Sequence, residues 1–168
     1  MPSLTDDLRT APTTFRPFRS DPVQPAALRR ALQRAHLAAW RLLTVTDPTT
    51  RLAIRDAHLP HWRAHLTESG GARILAADAP ARQARDLRSA DQFARELHEA
   101  PVHLVLLGRR DGRLRTTALT DLAESLRAEG VNAAPVPFAT RAEQELRALM
   151  ELPDELRVAG VLAARPGR

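Results

Sequence analysis

The chain has 168 residues, 43% hydrophobic and 27% charged, a balance that suits one folded domain with its own core and excludes a disordered polyelectrolyte. It has no cysteine, which excludes disulfides, thiolate metal sites and a cysteine nucleophile. The net charge of +5 comes from 25 basic residues, all arginine, scattered among 20 acids; scattered charge reads as solvated helix faces, so no nucleic-acid partner is expected.

The opening stretch MPSLTDDLRT carries no basic-then-apolar run, and no apolar stretch approaches the ~18 residues of a membrane span. The expectation is a cytoplasmic protein without a membrane partner. Residues 1–12 are polar and contain two prolines, and read as an N-terminal arm with one helical turn at Leu4–Leu8. Residues 13–168 then form a single domain. In TTFRPFRSDPV (13–23), Phe15 and Phe18 read as core anchors, and Arg16 as a residue facing an anion.

From Ala26, the apolar residues Leu28, Ala31, Leu32, Ala35 and Leu37 recur at helical spacing, which predicts a helix to about Ala39. RLLTV (41–45) predicts a short strand. Asp47 as N-cap and Pro48 at the first helical position predict a helix to about His58, broken by Pro60, with a second short helix over 61–68. Residues 72–85 are ambiguous, and a helix is expected over Ser89–Glu99. VHLVLL (102–107) is the strongest strand, apolar enough for burial on both faces. GRRDG (108–112) reads as an exposed turn. A helix over Thr117–Glu129 should end at Gly130, and NAAPVPF should be irregular. Thr140 and Glu143 form a T-x-x-E capping box for a helix to about Glu151, and RVAGVLAAR (157–165) reads as a final strand. Alternating strands and helices point to a layered α/β or α+β domain.

Few residues suggest chemistry by themselves. His58, His61 and His65 invite a zinc reading, but Pro60 interrupts their spacing and no acid lies within the run; they read as surface histidines beside Trp62, and no metal is expected. No G-x-S-x-G elbow and no phosphate-binding glycine loop is present. Asp6-Asp7 and Asp154-Glu155 read as helix-start charges.

The order of segments resembles the nitroreductase family of FMN-dependent NAD(P)H oxidoreductases. The matching stretches are PTTFRPFRSDPV (12–23), RAHLAAWRLLTVTDP (34–48), APVHLVLL (100–107), LRAEGVN (126–132), EQELRALMELPDEL (143–156) and VLAARP (161–166). The resemblance implies an α+β (α/β layered) fold, a nitroreductase-like mixed central sheet flanked by helices. It also implies a homodimer with FMN at the interface, passing electrons from NAD(P)H to a small organic acceptor. On the family pattern, Thr14 and Arg16 fall at the serine and third arginine of its phosphate segment. His36 falls at its asparagine, and Arg165 and Arg168 are the phosphate contacts left at the end. The departures lie at the cofactor: Pro12 and Thr13 replace two arginines, Ala38-Ala39 replace Gln-Pro, and Asn132 replaces a glycine. They imply a partly eroded flavin site, in which FMN is retained or lost. The alternative is a cofactor-free dimerisation or partner-binding module without catalytic activity, so whether the chain is an enzyme stays open.

Overall fold

The computed structural model describes residues 23–37, 39–77, 80–113 and 117–167. The expectations for the arm and for Phe15, Phe18, Thr14, Arg16 and Arg168 lie outside them. The first described helix, α1 (Pro25–Arg34), starts with proline at its first turn and buries Ala27, Leu28 and Ala31. It stops five residues before the expected Ala39. His36 takes a left-handed conformation (φ 54°), its N–H donating to Gln33 O (3.1 Å) while Leu37 N–H donates to Leu32 O (2.9 Å). These two bonds satisfy the last carbonyls and close the helix. Strand β1 (Arg41–Val45) follows as expected.

Asp47 caps α2 (Pro48–Glu68), accepting from Thr50 N–H at 2.7 Å, and the bonds from Thr50 Oγ1 and then Thr50 N–H hold its carboxyl below the usual range. Pro60 does not break the helix, contrary to expectation; α2 runs 21 residues through it. Ile54 and Leu59 before the proline, and Trp62 and Leu66 after it, are all buried. At about 1.5–3 kcal/mol each, their burial outweighs the roughly 3 kcal/mol an interior proline costs. The ambiguous stretch resolves into α3 (Gly71–Ala76) and the start of α4 (Arg82–Arg95), and a 3-10 turn at Leu97–Glu99 replaces the expected end of that helix.

Strand β2 (Val102–Arg109) is buried on both faces for seven of its eight residues. An exposed turn at 110–112 leads towards α5 (Ala118–Ala128). The stretch expected to be irregular forms β3 (Val131–Pro135), with Pro135 at the end of a strand that has one neighbour, where a missing donor is tolerated. The capping box does not form. A 3-10 turn (Ala139–Ala142) precedes α6 (Glu143–Met150), and the Glu143 carboxylate instead accepts from Val158 N–H of β4 at 3.1 Å. The chain closes with β4 (Leu156–Pro166), as expected.

The sheet order is β1-β2-β4-β3, and its three pairings are antiparallel among the described residues. The segment α2–α4 begins and ends at one end of the sheet, so β1 and β2 must run oppositely. The pleat separates two cores. Val102, Leu104, Leu106, Val131, Leu162 and Ala164 face α1 and α5. Val105, Leu107, Val158, Val161 and Ala163 face Ile54 of α2, Phe93 of α4 and Leu146 of α6. This is the layered α+β architecture the sequence pointed to. Gly160 is where α5 rests on the sheet: a Cβ there would lie 2.0 Å from Leu119 Cδ1.

Candidate functional site

One end of the sheet gathers the end of β4 and the start of β3. Gly130 reverses the chain after α5 with φ 76°, and its carbonyl accepts from Gly167 N–H at 2.6 Å, tying the two strand ends together. Beside it the Glu129 carboxylate accepts from Arg30 Nε (2.7 Å) and Arg34 Nη2 (2.9 Å) of α1. The bond from Arg30 is the main reason its pKa lies below the usual range. Arg165 stands opposite Asn132 in the β3·β4 register. Alternation puts both on the α2/α4/α6 face, since their neighbours Val131, Ala133 and Ala164 pack against the α1/α5 core.

His36 lies on the α1/α5 side of the sheet. Its turn caps α1 and lines an open cleft of about 360 Å³ with Arg34, Asp121, Glu124 and Ser125 of α5. Trp40, the one residue retained from the resemblance at this turn, packs over Gly108 at the far end of β2. Gly108 and Val102 are six residues apart, so Trp40 and the strand end carrying Arg165 are about 20 Å apart along the sheet. The His36 turn and Arg165 lie on opposite faces of the sheet. Within one subunit these two candidates are not brought together, and Thr14, Arg16 and Arg168 lie outside the described residues.

The histidine run is not a surface feature. His58 and His65 are buried, with Trp62 between them, and His61 reaches an acid, Glu145 at 2.9 Å. His58 Nε2–H donates to Pro137 O at 2.6 Å, and burial pushes its pKa down. His65 packs on the Phe138 ring at 4.1 Å, with Arg141 4.8 Å from that ring on its own account. Among the described residues no group of three ligating side chains is arranged to hold a metal.

Sequence reasoning also missed a second cleft, of about 560 Å³, between the first turn of α2 and the segment leading into β2. Arg51 spans it, its Nη1 donating to the carbonyls of His98 (3.0 Å) and Ala100. Behind it His103 is fully buried in β2, donating from Nε2 to Leu97 O at 2.8 Å. A lone polar residue inside VHLVLL was the available signal, since a buried imidazole must find a partner.

No family model matches the chain, and no curated protein matches it. Solved structures do. An iodotyrosine deiodinase bound to FMN and 3-iodo-L-tyrosine aligns over 98% of this chain and 90% of its own, with a TM-score of 0.64 at 22% identity. A BluB-like flavoprotein from Clostridium difficile aligns over 100% and 91%, with a TM-score of 0.62 at 14% identity. An FMN-dependent nitroreductase from Mycobacterium smegmatis in complex with NADPH aligns over 97% and 87%, with a TM-score of 0.59 at 16% identity. Both sides of each alignment are nearly complete, so the likeness is to the whole architecture and not to a shared motif: the chain has the nitroreductase fold.

Proposed function

We propose that this protein is a nitroreductase-fold flavoprotein that binds FMN across two subunits, with fewer anion-holding groups than its fold allows. The observation that carries the reading is the near-complete alignment with structures described as FMN-bound or FMN-dependent. Bound FMN would supply the redox chemistry, taking electrons from NAD(P)H and delivering them to a small organic acceptor. The protein's part is to bind and orient.

On this reading the described residues would serve FMN as a set shared between two copies. FMN carries a phosphate dianion, which calls for bidentate cations. Arg165 stands at the strand end with Asn132 opposite. His36 lies on the other face of the same subunit, so one cofactor reaches both only if they come from different subunits. Thr14, Arg16 and Arg168 complete the proposed set. The test is to add FMN to the purified protein and pass it through gel filtration. Flavin absorbance eluting with a two-subunit peak is expected; a colourless peak, or a coloured monomer, overturns the shared site.

A second reading, a cofactor-free dimerisation module, is favoured by one contact. Arg30 and Arg34 lie beside the β3 start, yet both are turned onto Glu129. Each gives a donor and part of its charge to that carboxylate, which weakens its hold on a phosphate. A colourless two-subunit peak in the same experiment supports this reading.

A further inference from the structure

The cleft at the first turn of α2 has no role in the flavin reading, and its chemistry is distinct. Its walls come from Thr46, Pro48, Arg51 and Leu52 on one side and His98, Pro101 and Val102 on the other. Apart from Arg51 and His98, the surface they offer is mostly carbon. Leu52 at the cleft is 38% exposed, one of two large apolar side chains left open among the described residues. Arg51 is fixed in place, because one guanidinium nitrogen serves two backbone carbonyls. Its Nε is buried and has no partner among the described residues, and no hydrogen bond holds Nη2. Arg51 is half-buried, and among the described residues its Nη2 is the donor left to meet an anion in the cleft. The same wall is the N-terminal turn of a 21-residue helix, which favours negative charge. Asp47 is the nearest acid on that turn, and its carboxylate is taken up by Thr50 N–H and Oγ1. Glu99, also in the lining, repels a ligand with several negative charges more than one with a single charge.

We propose that this cleft is a ligand site for a small monocarboxylate with an apolar body, the carboxylate meeting Arg51 and the body lying between Leu52 and Pro101. The site lies within one subunit and does not depend on FMN, so it stands or falls separately from the flavin reading.

The experiment follows backbone amide shifts of the 15N-labelled full chain during titration with benzoate, benzamide and benzylammonium. These probes share a ring and differ in charge. Saturable shifts of Arg51, Leu52, His98 and Val102 are expected with benzoate, at a half-saturating concentration lower than for the other two by roughly tenfold. Equal binding of all three, preference for the amine, or no saturable shift overturns the proposal. Arg51→Met should weaken benzoate by roughly tenfold, since its charge-assisted pair is lost. Should that variant fail to fold, Leu52→Glu places a repelling charge at an exposed position. It should weaken benzoate roughly threefold or more while leaving benzamide unchanged. Unchanged benzoate affinity in Leu52→Glu overturns the proposal, as does displacement of benzoate by FMN.

Discussion

His103 shows how one side chain couples this fold to pH. Its ring is fully buried, with Nε2–H committed to Leu97 O and Nδ1 without a partner among the described residues. Burial pushes its pKa down from 6.5 to about 4, and the neighbouring Arg51 and His98 push the same way. The unfolded chain takes up a proton at this residue near pH 6.5, the folded chain not until about pH 4. Stability is therefore complete above roughly pH 6.5 and is lost as the pH falls towards 4, by up to about 3 kcal/mol from this residue. Buried His58, also depressed, adds in the same direction. Urea unfolding midpoints at pH 7 and pH 5 measure the slope. His103→Gln keeps a donor for Leu97 O without titrating, and should flatten the slope by that share. A variant with the wild-type slope would show that other groups dominate acid sensitivity. His36 is the converse case, a residue held in a conformation that suits glycine. His36→Gly should raise stability by about 0.5–1 kcal/mol, read as a higher thermal midpoint. Under the proposed function it should at the same time weaken FMN binding, which separates the structural role of this position from its functional one.

At the scale of elements, local signals were strong where the chain enters a structure and weak where packing decides. Asp47-Pro48 announced the start of α2, and RLLTV and VHLVLL announced their strands, because caps and apolar runs act through near neighbours. The continuation through Pro60 was not legible, since it depends on contacts with α3, α4 and the sheet. Strand β3 was hidden for a related reason: VNAAP has little strand preference, and pairing to β4 creates it. The capping box failed because Glu143 found a better donor across the fold. Two substitutions test this division. Pro60→Ala restores a helical N–H at an exposed position, and should stabilise by about 1–3 kcal/mol if the proline is only tolerated. A destabilised variant would mean that the helix needs its proline geometry to seat Trp62. Gly160→Ala drives a methyl into Leu119 and should destabilise by about 1–3 kcal/mol, seen as a lower denaturant midpoint at unchanged slope.

For the whole molecule, the candidate site was legible only as scattered residues, because a sequence does not say which face or which subunit a side chain serves. His36 and Arg165 look like members of one site in the linear order of motifs. In the fold they occupy opposite faces of one sheet. Under the proposed function a two-fold dimer would reconcile them, since such symmetry sets a patch of one copy against a different patch of the other and does so twice. This arrangement makes a prediction that a site within one subunit does not. His36→Ala and Arg165→Met homodimers should each bind FMN more weakly, by roughly tenfold for the arginine, whose charge-assisted bonds are lost. When the two variants are mixed, unfolded and refolded together, each mixed dimer holds one doubly damaged site and one intact site. Half of its FMN capacity should then return at wild-type affinity. If both residues acted within one subunit, no mixed dimer would contain an intact site, and the titration would show weak sites alone. Flavin fluorescence quenching read against the fraction of mixed dimer distinguishes the two outcomes.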